Sequence, residues 1–203
     1  MRKIPTLFKR NDNTHLVTEE ITKGCEWIFA HNNSFKVIPT VKYDGTACLM
    51  KDNILYKRYD AKGGKTPPLD FIPSQEPDPI TGHYPGWIYC DPKDNSNKYH
   101  YEAYQEEYKK YKYNPFVIMM NGTFELIGEK IQGNPYKIEG HKFIMHGKEI
   151  ISNNDLTITR EGIYEYLKNN YVEGIVFYAD CVNPFSTRIC KIKRKDFGLP
   201  WNE

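Results

Sequence analysis

A lysine and an acid lie two positions apart in the segment Val41–Thr46. Because side chains two apart on a strand point to the same side, we expect Lys42 and Asp44 to share a face. Gly45 permits a tight turn after them. A lysine amine beside a carboxylate at a strand end would serve as a nucleophile. The alternative is a surface hairpin with an ion pair, since a Lys-x-Asp-Gly string occurs by chance in roughly one in twenty chains of this length.

Two further acids stand among apolar residues. Glu125 and Glu173 each occupy a stretch that predicts a strand, and an unpaired carboxylate is costly to bury. Each therefore requires a cation, a metal or hydrogen-bond donors. A structural salt bridge is the equal alternative for either acid.

The segment Cys190–Lys193 alternates lysine with apolar residues. Lys191 and Lys193 are expected to share one strand face, with Ile192 on the other. Two neighbouring ammonium groups repel each other unless an anion lies between them, and phosphate is the natural anion. The alternative is a solvated edge strand whose charges prevent aggregation.

Taken in order, these motifs resemble the series found in covalent nucleotidyltransferases, which include ATP-dependent DNA and RNA ligases and mRNA capping enzymes. The chain is more similar still to the vertebrate-type 5′–3′ RNA ligase family. The segments that carry this resemblance are 39–46 (PTVKYDGT), 82–87 (GHYPGW), 125–136 (ELIGEKIQGNPY), 173–177 (EGIVF) and 192–201 (IKRKDFGLPW). The resemblance implies an antiparallel-rich α+β adenylyltransferase domain of ligase type. About ten residues follow Lys193, so no OB-fold is expected.

The resemblance also implies roles for individual residues. Lys42 would take AMP from ATP, and the neighbouring ammonium groups of Lys191 and Lys193 would favour its neutral, reactive amine. The nucleotide-binding residues would be Thr40, Lys42, Arg58, Glu125, Phe143, Val176, Lys191 and Lys193. Mg²⁺, with Mn²⁺ as an alternative, would be held by Asp44, Glu125 and Glu173. Ordinary core packing is the alternative for Val176 and the favoured one for Phe143.

The implied activity is an ATP-dependent ligase of RNA repair that joins 5′-phosphate and 3′-OH ends. The expected partners are ATP and RNA with those ends, without a membrane, and the chain is expected to act as a monomer. Two alternatives stay open at this point: an RNA-capping guanylyltransferase that uses GTP, and a regulator that adenylylates itself but joins nothing.

Composition sets wide bounds. The 203 residues suit one domain over 1–203, with an excursion at about 60–97 that is rich in Pro, Gly, Asp and Asn. A net charge of +2 excludes neither nucleic acid nor protein as a partner. The five cysteines show no CxxC spacing, which is typical of reduced thiols. With no signal-like start and no long apolar run, we expect a cytoplasmic or nuclear-type compartment and no secretion.

Periodicity and turn residues predict the elements of an antiparallel-rich α+β fold rather than a doubly wound sheet. The predicted helices are 18–31, 98–112 and 160–169, the last capped by Thr159. The predicted strands are 36–43, 46–50, 53–59, 115–120, 123–127, 142–146, 172–178 and 188–193. The first two of these strands are expected to join at the turn pair Asp44-Gly45.

Overall fold

The structure, a computed structural model, describes residues 3–30, 36–63, 65–111, 121–180 and 188–201. It is an α+β fold with mostly antiparallel sheets and few helices, which confirms the predicted class. The chain forms two units. The first unit comprises residues 1–3 and 44–146, and the second comprises residues 4–43 and 147–203. The expectation of a single domain stays a prediction.

The described elements are strands of two to eight residues, two α-helices and short 3₁₀ turns. The strands are β1 Phe8–Arg10, β2 Val17–Ile21, β3 Lys36–Lys42, β4 Thr46–Lys51, β5 Ile54–Ala61, β6 Ile72–Pro73, β7 Tyr84–Tyr89, β8 Gly122–Gly128, β9 His141–Met145, β10 Gly174–Asp180 and β11 Ile189–Lys193. The helices are α1 Lys98–Tyr111 and α2 Arg160–Asn169, and the 3₁₀ turns are Glu26–Ile28, Asn95–Asn97 and Arg194–Phe197.

The second unit contains a three-stranded antiparallel sheet in the order β11-β10-β3 and a two-stranded sheet of β1 and β2. Alternate residues of β10 and β11, such as Ile175, Phe177 and Ile192, are fully buried. They share one apolar core with Ile163 and Leu167 of α2. Because the alternation has a period of two, burying this face leaves the other face of the sheet for polar side chains.

The first unit contains a six-stranded sheet in the order β6-β7-β5-β4-β8-β9, and α1 packs on β9. Its core includes Cys48, Leu55 and Leu126 from the strands and Ala103 from α1. The helix therefore covers the sheet with Ala103 and the partly buried Tyr99, Tyr101 and Tyr104, whereas Tyr108 is exposed.

The predicted helix at 18–31 is wrong. Its first residues form β2, which pairs with β1, and a 3₁₀ turn follows at Glu26–Ile28. Gly24 between them has a φ of +90°, which interrupts any helix. An isolated short helix is marginal, so the pairing with β1 decides the conformation of this segment.

The predicted turn at Asp44-Gly45 does not make a hairpin. Strands β3 and β4 form as expected, but β3 pairs with β10, whereas β4 pairs with β5 and β8. A Cβ atom on Gly45 would lie 2.3 Å from the carbonyl oxygen of Leu126. The glycine is therefore required by the close approach of β8 and not by a hairpin turn.

The excursion predicted at 60–97 contributes to the sheet. It contains β6 and β7, and β7 lies between β6 and β5 with Trp87 buried. Strand β7 was not predicted because it contains Pro85, and proline is rare inside strands.

Most other predicted elements are confirmed within one to three residues. Helix α2 begins after Thr159, whose Oγ1 accepts a hydrogen bond of 3.0 Å from the Gly162 N–H. Helix α1 and strands β5, β8, β9, β10 and β11 also form where expected. The strand predicted at 115–120 lies outside the described residues.

Four of the five cysteines lie within the described residues. Cys25, Cys48, Cys90 and Cys190 are buried free thiols, and Cys181 lies outside the described residues. No helix in the described ranges is long and apolar enough to cross a membrane.

His100 of α1 is a buried side chain that burial keeps neutral. Neither of its ring nitrogens has a hydrogen-bond partner among the described residues. Burial above all, and then the nearby Lys57 and His141, lowers the pKa of His100 to about 4. The unfolded chain binds this proton near pH 6.5, so the folded state loses stability as the pH falls from about 6.5 to about 4.

We predict that His100→Leu flattens this acid dependence. Between pH 6.5 and 4, His100 contributes a slope of at most ~1.4 kcal/mol per pH unit to the free energy of unfolding. Urea unfolding of parent and variant at several pH values measures this slope. Equal slopes in the two proteins would refute the assignment.

Candidate active site

One row of the three-stranded sheet brings two lysines together from distant parts of the sequence. Gly174 of β10 lies opposite Lys42 of β3 on one side and opposite Lys193 of β11 on the other. A Cβ atom at Gly174 would lie 2.3 Å from the Ile192 carbonyl oxygen, so only glycine allows this close approach of β11. The register therefore places both lysines beside the same glycine.

The next row of the same sheet contains three more of the predicted residues. Val176 lies opposite Thr40 and Lys191, and the Thr40 hydroxyl donates a 3.0 Å hydrogen bond to the Val176 carbonyl. Residues that are directly paired, or two apart on one strand, point to the same side. Thr40, Lys42, Val176, Lys191 and Lys193 thus form one surface, which we call the lysine face.

Glu173 joins the two lysines of the first row. Its Oε2 accepts a hydrogen bond from the Lys42 ammonium, and its Oε1 lies 2.7 Å from the Lys193 ammonium. Glu173 is 6% exposed and lies one residue before β10, rather than within a strand as predicted. The predicted need of this acid for cationic partners is confirmed, and the partners are Lys42 and Lys193.

Lys191 differs from its two neighbours on the lysine face. It is half-buried, and within the described residues its ammonium group makes no ion pair or hydrogen bond. Burial, followed by the positive charges of Lys193 and Lys42, lowers the pKa of Lys191 to about 8, and Glu173 opposes this shift. The second row therefore carries an uncompensated cation, which favours a bound anion.

Asp196 fixes the backbone of Lys193. This acid is 2% exposed, and its Oδ2 accepts a 2.8 Å hydrogen bond from the Lys193 N–H. Its Oδ1 accepts hydrogen bonds from the Arg10 guanidinium. The sequence analysis predicted neither Asp196 nor Arg10 as a residue of the site. Asp196 lies three residues after the end of β11, and this spacing is typical of a capping box.

Glu149 holds the chain on both sides of Lys42. Its backbone carbonyl accepts a 2.9 Å hydrogen bond from the Val41 N–H, and its carboxylate accepts one from the Tyr43 hydroxyl. Burial, and then this contact with Glu149, raises the pKa of Tyr43. Glu149 was also missed, because no local pattern relates it to the strand it contacts.

Asp44 does not share a strand with Lys42. Strand β3 ends at Lys42, and Asp44 belongs to the first unit, so the predicted alternation does not apply to it. The Asp44 N–H donates a 2.6 Å hydrogen bond to the hydroxyl of Tyr136. This hydroxyl is the backbone anchor of Asp44 within the first unit.

Glu125 of β8 obtains the donor that its position requires. The N–H at Nε2 of His146 donates to Glu125 Oε2 over 2.8 Å, because an ionised carboxylate can only accept. The other ring nitrogen of His146 lies 3.0 Å from the Thr123 hydroxyl, on the same face of β8. His146 was missed, and its position directly after a strand that pairs with β8 is the signal that could have found it.

The other two predicted nucleotide contacts belong to the first unit. The Arg58 guanidinium lies 5.2 Å from the ring centre of Trp87 and donates a 3.3 Å hydrogen bond to the Ser74 hydroxyl. Burial lowers the pKa of Arg58. Phe143 is buried in the core, with its ring centre 5.9 Å from that of Phe124. Phe143 thus shows the core packing that was the favoured alternative, and its nucleotide contact stays a prediction.

The acids do not build a preformed metal cage. In the described part of the chain, no three His, Cys, Asp or Glu side chains converge on a point that could hold a metal ion. Mg²⁺ is commonly bound by one or two carboxylates together with substrate phosphates. The metal set of Asp44, Glu125 and Glu173 draws on both units and stays a prediction.

We predict that the Lys191 amine titrates with a midpoint of about 8, against about 10.4 for a free lysine side chain. Acetic anhydride acylates only the neutral amine, so peptide mass spectrometry of acetylation across pH 6–11 measures this midpoint. Because Lys193 contributes to the shift, Lys193→Met should move the midpoint upward. A parent midpoint near 10.4, or no change in the variant, would contradict the electrostatics of the lysine face.

Comparisons with known proteins identify the family. A family model described as RNA ligase 1 matches residues 72–203, a range that contains Glu125, Glu173, Lys191 and Lys193 and begins after Lys42. RNA ligase 1 of Pongo abelii is 25% identical over 233 residues, which cover 82% of this chain and 69% of that protein. The model match spans more than half of the chain and agrees with the resemblance found in its motifs. The chain therefore belongs to the RNA ligase 1 family.

Proposed function

We propose that this protein is an ATP-dependent RNA ligase with a nucleotidyltransferase-type fold that carries AMP covalently on Lys42. The observation that supports this most is the row of Lys42, Gly174 and Lys193, with Glu173 joined to both ammonium groups. Family membership supports the RNA substrate, since the relative is named an RNA ligase. The row supports Lys42 as the nucleophile, independently of the family model.

In the first step, the Lys42 amine attacks the α-phosphorus of ATP. A P–N bond forms, and the P–O bond to pyrophosphate breaks. The ammonium must first lose a proton, and among the described residues it contacts the Glu173 carboxylate and the Tyr43 carbonyl. Of these two groups, the carboxylate is the one that can accept a proton. We therefore propose that Glu173 takes the proton from the Lys42 ammonium group.

The cations of the lysine face would bind the phosphates. Lys193 and Lys191 come from one strand, so their separation is set by the sheet and needs no reorganisation when charge develops on the leaving group. Val176 lies between Thr40 and Lys191 and is 8% exposed, so it has the core packing that was its alternative, and its contact with the adenine is proposed from the resemblance alone. The remaining nucleotide contacts that we propose, from the resemblance, are Arg58, Glu125 and Phe143.

In the later steps, AMP passes to the 5′-phosphate of an RNA strand, and a 3′-OH then displaces AMP to seal the strands. Bound Mg²⁺, or Mn²⁺ in its place, would neutralise phosphate charge. We propose that Asp44, Glu125 and Glu173 hold it. The carboxylate of Glu173 would then exchange its lysine contacts for the metal or its waters, which couples the metal to the freeing of Lys42.

We predict that Lys42→Ala abolishes covalent labelling. The protein is incubated with α-labelled ATP and Mg²⁺ and then denatured, and the label on the protein is counted. We expect at least a ~100-fold loss in the variant, because a covalent nucleophile has no substitute. Lys36→Ala is the matched control, since Lys36 is an exposed residue of the same strand and should leave the label intact. An unlabelled parent, or a labelled Lys42→Ala, would overturn the covalent mechanism.

Two further measurements define the reaction class. Labelling with α-labelled GTP instead of ATP would indicate capping chemistry. Sealing of a nicked RNA with a 5′-phosphate should give a longer product with the parent and none with Lys42→Ala. A protein that labels but seals no RNA or DNA end would be a regulator and not a ligase.

A further inference from the structure

The N-terminal segment of the second unit extends the three-stranded sheet at Lys191. The Leu7 N–H donates a 2.7 Å hydrogen bond to the Lys191 carbonyl, and the Lys191 N–H donates a 2.9 Å hydrogen bond to the Pro5 carbonyl. Thr6 thus pairs in parallel with Lys191. Strand β1 follows directly, so this segment brings Arg10 to the neighbourhood of the lysine face.

Arg10 is held in place by a buried acid. Its Nε and Nη2 donate hydrogen bonds of 3.1 Å and 2.5 Å to Oδ1 of Asp196, whose other oxygen accepts from the Lys193 N–H. One carboxylate therefore fixes both the Arg10 side chain and the Lys193 backbone. The Arg10 side chain remains 41% exposed, and among the described residues no other acceptor contacts its guanidinium. Nη1 is thus available to a ligand.

The charges around Lys191 do not cancel. Arg10 lies close enough to contribute to the lowered pKa of Lys191, together with Lys193 and Lys42. The cations of this cluster are Arg10, Lys42, Lys191 and Lys193, and its anions are Glu173 and Asp196. Four positive and two negative charges leave an excess of two, with the Lys191 ammonium unpaired within the described residues. A dianion such as a phosphate group would compensate this excess.

We propose that Arg10 is a further phosphate-binding residue of the lysine face. A guanidinium presents several donors in one plane and suits phosphate oxygens better than a single point charge does. This inference rests on the proposed ligase function. The phosphate is either one of the ATP phosphates beyond the α-phosphorus or the 5′-phosphate of the RNA. The family model matches residues 72–203 and does not include Arg10. The role proposed for Arg10 therefore rests on its contacts in the structure.

The test compares Arg10→Ala and Arg10→Lys with a matched control, Lys9→Ala. Lys9 is the preceding residue of β1 and pairs with Glu20 at the exposed surface. If Arg10 binds ATP, the KM for ATP in self-adenylylation rises about 10-fold in Arg10→Ala. If it binds the RNA end, self-adenylylation is unchanged, and the KM for nicked RNA with a 5′-phosphate rises by a similar factor. Arg10→Lys, which retains the charge, should restore part of the loss, and Lys9→Ala should change neither KM.

The outcomes separate this inference from the proposed function. A parent protein that fails to label removes the proposed ligase mechanism itself. A parent that labels and seals, with both KM values unchanged in Arg10→Ala, overturns the role of Arg10 alone. Removal of Arg10 also leaves Asp196 without its charged partner, so thermal unfolding is followed for each variant. A fall in kcat that tracks the unfolded fraction, without a change in either KM, would show that Arg10 only anchors β1.

Discussion

The Glu173 carboxylate and the two lysines that it holds depend on one another. Removing Glu173 would leave Lys42 and Lys193 as uncompensated charges, and breaking a buried ion pair in this way costs about 3–5 kcal/mol. Lys42 and Lys193 would repel each other beside Gly174 if Glu173 were absent. A phosphate bound to Lys42 or Lys193 would compete with Glu173 for these ammonium groups.

The position of this ion bridge is set by packing on the opposite side of the sheet. Ile175 and Ile192 are fully buried. In the sequence, Ile175 is next to Val176, and Ile192 lies between Lys191 and Lys193. A shift of one residue in the register of β11 would move its side chains to the other face, placing Lys191 and Lys193 in the core and Ile192 in solvent. The apolar core of the second unit thus specifies where the side chains of the lysine face lie.

Two acidic residues also fix the chain around the lysines, Glu149 through its backbone carbonyl and its carboxylate and Asp196 through its carboxylate. Glu149 holds the residues on either side of Lys42, and Asp196 holds the N–H of Lys193. Arg194, the next residue along, donates to the carbonyls of Leu167 and Asn170 at the end of α2 and so has a structural role despite its charge. Adjacent basic residues in the sequence therefore serve different purposes, one facing the site and the other supporting it.

Local sequence patterns were enough to predict the features that depend on neighbouring residues. The alternation around Ile192, the strand that contains Lys42 and the cap at Thr159 all follow from local backbone geometry, and the structure has them within one residue of the predicted bounds. The order of the motifs was also sufficient to indicate the family. The misassigned helix at 18–31 shows the limit of this approach, because pairing with a distant strand overrides weak local preference.

The contacts between the functional side chains depend on how distant strands pair in the fold. The pairing of β3 and β11 with opposite edges of β10 brings Lys42 to Lys193, and no local pattern encodes this pairing. The same holds for the contact of Glu125 with His146 and for the contact of Arg10 with Asp196. These partners are far apart in the chain and come together only because burial of the apolar faces fixes the strand register. Lys42 is thus recognisable as a candidate from its motif, but its electrostatic surroundings are a property of the folded sheet.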